Sequence, residues 1–220
     1  ITVRQAPGDL TFDLIVTGYR DGHEGRVRIA GAHTNIVLKE LDGKVLLKKE
    51  VGSCYTSESE QEHSDGPALT IEGIVDFAET VEPEDVRDTL ERQIACNTAI
   101  SAEGLRGDYG ANVGRVLLAT YGDDVKVRAR AAAAAGSDAR MNGCELPVVI
   151  NSGSGNQGLT ASLPVIEYAK EIGADRERVY RALVISNLTA VHLKEGIGGL
   201  SAYCGAVTAG AGAGAGIAWL

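Results

Sequence analysis

An α+β fold is what this sequence predicts: a small antiparallel sheet, roughly residues 1–68 with its linker, followed by part of a mostly helical domain, residues 69–220. Three observations predict it. Asp42-Gly43 stands between two runs that alternate apolar and polar residues, the strongest short-range signal for a hairpin. From Gly52 to Ala68 the composition turns to Ser, Glu, Gln, Gly and Pro, as in a linker or exposed loop. Beyond it the apolar spacing is helical almost to the end.

In chain order, Leu10 to Val16 and Arg26 to Ile29 read as strands separated by the polar, glycine-bearing stretch Arg20 to Gly25. His33 to Leu41 and Lys44 to Lys49 form the hairpin, which places Ile36, Leu38, Val45 and Leu47 on one face and Lys39, Lys44 and Lys48 on the other. A sheet of that kind buries one side only. Ile71 to Thr80 is a helix, and Pro83 opens a second one carrying Val86, Leu90 and Ile94 at i, i+4 and i+8, expected to end at Ile100. Gly104 to Gly110 should interrupt the pattern, Val113 to Tyr121 resumes it, and Val125 to Ala135 should stop at Gly136. Leu163 to Ile172 and Arg176 to Leu193 continue as helices. The uncharged stretch Gly196 to Leu220 suits either a buried helix packed at short distance or, with Gly210/Gly214 and Gly212/Gly216, a membrane span.

Composition narrows the function. With 44% hydrophobic and 23% charged residues the chain reads as an ordinary globular protein, but aromatics are only 5% and Gly numbers 28, so packing must rest on small residues. A net charge of −9 argues against nucleic acid and anionic membrane as partners. Eleven acids against the single base Arg87 lie between Glu58 and Asp88, a pattern that reads as a solvated face. Cys54, Cys96, Cys144 and Cys204 stand far apart, which suits free thiols in a reducing cytoplasm rather than a disulfide scaffold. The chain opens at Ile1 inside a strand-like run and closes at Trp219-Leu220 inside an uncharged one, as an internal piece of a longer protein would.

The informative stretch is Asn151-Ser152-Gly153-Ser154-Gly155-Asn156-Gln157-Gly158, eight residues without charge or bulk between the proline-stiffened run Leu146 to Ile150 and the apolar-periodic Leu159 to Ile172. Glycines let backbone N–H groups converge, Ser and Asn add donors, and the first turn of a helix adds unpaired N–H groups and a positive dipole end. A carboxylate or phosphate is the expected ligand. Gly153 to Gly158 also spells the dinucleotide fingerprint, but the acidic partner expected roughly twenty residues on would fall at Asp175 to Glu177, between helices rather than after a second strand. The loop further resembles the carboxylate-binding loop of pyridoxal-phosphate lyases, whose Schiff-base lysine would have to be Lys126 or Lys194, both better read as helix-surface residues. His192 and His33 read as a satisfied core histidine and a turn residue. Cys54 and Cys96 read as inert and Cys144 as packing, whereas Cys204, among small residues, leaves room for a bulky inorganic cofactor.

Several segments together resemble a known family. Met141-Asn142-Gly143, Leu146-Pro147-Val148-Val149, the loop Asn151 to Gly158, Ser186-Asn187-Leu188, Leu200-Ser201-Ala202-Tyr203-Cys204-Gly205 and His33-Thr34-Asn35-Ile36-Val37 are similar to the iron–sulfur L-cysteine desulfidases, grouped with serine dehydratase alpha chains. The resemblance implies a [4Fe–4S] lyase that converts L-cysteine to pyruvate, ammonia and sulfide, or L-serine to pyruvate and ammonia. It implies that an open iron acts as a Lewis acid on the leaving group, that Asn151, Ser152, Gly153, Ser154, Gly155, Asn156 and Gln157 hold the substrate carboxylate, and that Cys204 is a cluster ligand. The other two ligands would lie beyond Leu220, and the base and a further cysteine outside this chain, which alone should not complete the cluster. The implied partner is a small amino-acid substrate, with a homodimer as a candidate assembly. The competing reading is a non-enzymatic small-molecule binding or regulatory module using the same loop.

Overall fold

The computed structural model describes residues 2–6, 8, 10, 12–31, 35–51, 69–197 and 203–220. It is an α+β chain in two compact units, one comprising Ile1–Pro67 with Gly198–Ala202, the other Ala68–Ile197 with Tyr203–Leu220. The linker 52–68, Cys54 and His33-Thr34 lie outside the described residues.

In the first unit, β1 (Asp13–Arg20), β2 (His23–Ala30), β3 (Ile36–Leu41) and β4 (Lys44–Lys48) form an antiparallel meander in the order β1-β2-β3-β4. Both tight turns are Asp-Gly. Asp21 and Gly22 have φ of 51° and 83°, and Asp42 and Gly43 have 50° and 76°, the paired positive values of a type I′ turn. The first turn corrects the expected separator Arg20 to Gly25: Arg20 already pairs with His23, so β1 starts later than Leu10 and runs further. The Asp42 carboxylate accepts from Glu24 N (2.8 Å) and from His23 Nδ1 (2.7 Å), tying one turn to the other hairpin.

The expected apolar stripe is split by two irregularities. Glu40 pairs with Val45 but Lys39 pairs with Leu47, so an extra residue enters β4; Leu47 joins the face of Lys39, and Lys48 comes opposite Leu38. On the β2 side Arg28 pairs with Leu38 and Ile29 with Ile36, which leaves Val37 as a second inserted residue. Each bulge moves the following side chains across the sheet, and turn chemistry cannot foresee that. Among the described residues of this unit the apolar side chains that end up buried are those of Ala30 and Val37.

The second unit is helical: α1 (Ile71–Thr80), α2 (Pro83–Arg106), α3 (Val113–Tyr121), α4 (Val125–Met141), α5 (Gly155–Ile172), α6 (Arg176–Glu195) and α7 (Ala206–Trp219). Thr70 caps α1 by accepting from Gly73 N at 3.0 Å. Two expected glycine stops are not stops. Gly104 lies inside α2 because α4 crosses there: a Cβ would sit 2.0 Å from the Ala135 carbonyl oxygen. Gly136 lies inside α4, where a Cβ would meet the Leu159 side chain at 3.1 Å. α5 begins at Gly155, well before the expected Leu163, and carries Pro164 in its interior.

α7 is the close-packed helix its composition allowed. A Cβ on Gly212 would fall 2.4 Å from Ser186 O, and one on Gly216 2.6 Å from Ala182 O, so α6 and α7 touch backbone to backbone. Ala161, Ala190 and Ala209 form a small buried cluster where α5, α6 and α7 meet. The larger core joins α1, α2, α5 and α6 through Ile74, Leu90, Ile166, Leu183 and Ile185. No helix among the described residues is long and apolar enough to cross a membrane.

Candidate functional site

The eight-residue stretch becomes a turn followed by the first turn of α5. Ser152 and Gly153 both have positive φ, 46° and 83°, and Asn151 and Ser154 exchange backbone hydrogen bonds of 3.1 and 3.0 Å across them. Ser154 is the N-cap of α5, yet its side chain makes no capping hydrogen bond. No acceptor among the described residues takes the N–H of Gly155, Asn156 or Gln157, although Gly155 and Gln157 are buried. Unsatisfied donors at a buried helix start are costly unless a ligand accepts them.

A frame of buried amides holds this turn. Asn97, fully buried on α2, accepts from Val149 N at 2.9 Å and donates toward Val149 O, Gly158 O (both 3.2 Å) and Ser162 Oγ (2.9 Å). It thereby ties the run before the turn to α5, and the Leu146 to Ile150 run forms no strand. Gly158 makes the approach possible, since a Cβ there would stand 2.0 Å from Val149 O. Asn151 donates to Asn187 O and Oδ1 at 3.1 and 3.0 Å, and Asn187 exchanges two 2.9 Å hydrogen bonds with Gln93. With no strand after α5 among the described residues, the dinucleotide reading loses the βαβ unit it requires.

Three residues around this turn escaped the sequence reading, Gln93, Asn97 and Arg140, while Asn187 entered it only within the segment Ser186-Asn187-Leu188 and without a role. Gln93 and Asn97 are amides at i and i+4 inside a helix, a spacing that could have marked one polar stripe on a buried face. Arg140, in the last turn of α4, donates from Nη1 to Asn156 Oδ1 at 3.1 Å, and covers Gly155 so closely that a Cβ there would be 2.2 Å from its Nε.

The structure also brings the Cys204 segment to the loop. A Cβ on Gly205 would fall 1.9 Å from Gln157 Nε2, so the start of α7 rests on the Gln157 side chain, one residue from Cys204. Gln157 is 5% exposed and its Oε1 has no partner among the described residues. Cys204 is an exposed free thiol. Cys144 packs against the Ile100, Leu159 and Leu163 cluster, and beside it the Tyr109 hydroxyl, also donating to Glu103, has its pKa pushed up to about 12. Lys126 is on the surface as expected, but Lys194 is buried at 9% exposure, one helical turn beyond Ala190 on α6, so its reading as a surface lysine was wrong. Among the described residues no group of three or more His, Cys, Asp or Glu side chains could hold a metal ion.

Comparison with known proteins places the chain in a family. The serine dehydratase alpha chain family model matches residues 31–220. A UPF0597 protein of Desulfitobacterium hafniense is 53% identical over 220 residues, 100% of this chain and 50% of that protein. Another from Lachnoclostridium phytofermentans is 54% identical over 207 residues (94% and 48%), and one from Aeromonas salmonicida 42% identical over 225 residues (100% and 50%). The chain thus spans about half the length of the curated relatives it matches. No solved structure matches it. On both the family match and the identities, the chain belongs to the serine dehydratase alpha chain family.

Proposed function

We propose that this chain carries the amino-acid-binding part of a lyase that eliminates sulfide from L-cysteine or water from L-serine, giving pyruvate and ammonia. The observation that carries the reading is the start of α5, where three N–H groups without acceptors, the Ser154 hydroxyl and the Asn156 amide surround one small region, and the Cys204 segment rests on Gln157 in the same turn. The N–H groups and the positive end of the helix bind the α-carboxylate, and the Asn97 and Asn187 frame keeps them in place. Family membership supports lyase chemistry and an iron–sulfur group. Cys204, one residue from the Gly205 that rests on Gln157, is the thiol assigned to the cluster, and one thiolate does not hold a [4Fe–4S] cluster; its other ligands would come from elsewhere in the protein.

The first test is iron and acid-labile sulfide in anaerobically prepared full-length protein, assayed beside pyruvate formation from L-cysteine and L-serine. Iron, sulfide and pyruvate together support the reading; their absence turns it toward a binding or regulatory module. Within an active enzyme, Ser154→Ala or Asn156→Ala should each weaken substrate binding by about 1–3 kcal/mol, the range for a hydrogen bond to a charged group. Unchanged KM in both would remove the loop from the site.

A further inference from the structure

Arg140 is a cation without a carboxylate partner among the described residues. The residue is half-buried, and its side-chain contacts are Asn156 Oδ1 at 3.1 Å and Met141 Sδ at 3.4 Å. It does not cap its own helix either: the carbonyls of Asp138, Ala139 and Arg140 at the end of α4 are taken by the N–H groups of Asn142, Cys144 and Gly143. Instead it lies over Gly155, at the N-terminal end of α5, where a cation meets the positive end of the helix dipole and three N–H groups that also lack acceptors. Like polarity gathered in one half-buried place is unfavourable until an anion enters between the two. A second observation points to a ligand independently. Gln157 Oε1, in the same turn, is an acceptor without a donor among the described residues on a side chain only 5% exposed, and what it suits is the ammonium of an α-amino acid rather than the carboxylate.

We propose that Arg140 is the substrate-binding cation of this site, its guanidinium and the N–H groups of Gly155, Asn156 and Gln157 closing on the carboxylate of an α-amino acid from two sides. This rests on the loop reading above and adds a residue and a selectivity to it. The site prefers a free α-carboxylate to a neutral amide, because only the charged group offsets both the guanidinium and the helix end. Gly155 is part of the device: any larger residue would push the guanidinium away.

The test compares binding of L-alanine and L-alaninamide to the full-length protein by calorimetry. Neither carries a β leaving group, so the readout does not depend on turnover, and both keep the amine, so the difference isolates the carboxylate. Wild type should bind L-alanine about 30-fold or more tightly than the amide, Arg140→Gln should remove most of that preference, and Arg140→Lys should restore part of it. Should Arg140→Gln fail to fold, Gly155→Ala displaces the same guanidinium without removing its charge, and the same loss is expected. A preference kept in both Arg140→Gln and Gly155→Ala, while Ser154→Ala or Asn156→Ala weakens L-alanine binding, overturns the role of Arg140 and leaves the loop reading standing. Binding of neither ligand by the folded wild-type protein overturns both.

Discussion

The sheet unit and the helical unit solve the same problem in opposite ways. In the sheet Ala30 and Val37 are buried, while Leu14, Val16, Leu41, Val45 and Leu46 remain 45–59% exposed. In the helical unit Ala and Gly sit at the crossing points of α2 with α4 and of α6 with α7, and backbones come into contact. The sheet is ordered by turns and paired charges, the bundle by close approach. The difference teaches where each is fragile: a methyl group is tolerated in one and disruptive in the other.

The largest effect expected from that contrast is at glycine. Gly104→Ala should cost about 3 kcal/mol, because its Cβ would meet a backbone carbonyl that cannot swing aside. Gly18→Ala in β1, with nothing within 4 Å, should change stability by less than about 0.5 kcal/mol. Urea denaturation of both variants checks this, and equal effects would break the contrast.

Next in size is Asn97→Ala, which removes one side chain from four hydrogen bonds and leaves buried groups on α5 and on the preceding run unpaired. A loss of about 2–3 kcal/mol is expected, with faster amide hydrogen exchange at Val149 than in the sheet. Exchange unchanged at Val149 would mean that the turn before α5 holds itself.

The smallest effect is in acid. In the sheet, Asp13 takes two 2.8 Å hydrogen bonds from Arg28, and that pairing holds its carboxyl below the ordinary 3.8. In the bundle, Glu91 is held below 4.5 first by Arg176 and then by the Tyr180 hydroxyl. Both values are depressed by folding, so each contribution is present above the ordinary carboxylate value and is lost as pH falls through the lower folded one. Asp13→Asn should flatten the acid limb of the stability curve more than Glu91→Gln, since the Asp13 side chain is 7% exposed and that of Glu91 40%. The reverse order, measured by chemical denaturation from neutral pH downward, would place the tighter pair in the bundle.

Much of this molecule was legible where local chemistry decides. α1 and α3 have the bounds their sequence implies, because Thr70 caps one and Gly122 ends the other with φ of 82°. Gly104 and Gly136 misled, since a glycine that permits a helix crossing looks the same in sequence as one that ends a helix. At the site, the charge-free loop announced itself by composition. The place of Arg140 over Gly155 did not, nor, away from the loop, did the burial of Lys194: an ordinary basic residue near a helix end gives no sign of what lies across from it.

The sequence by itself determined the fold class, the Asp42-Gly43 turn, the presence and type of the helices, and the charge-free composition of the loop before α5, because each depends on residues within a turn or two of one another. Tertiary structure decided the bulges that split the apolar stripe of the sheet, the burial of Lys194, the amide frame of Gln93, Asn97 and Asn187, and the meeting of Arg140, Gly155, Gln157 and Gly205. Those pairs lie many residues apart in sequence, and how closely they meet is set by which helices cross and where a missing Cβ lets them touch.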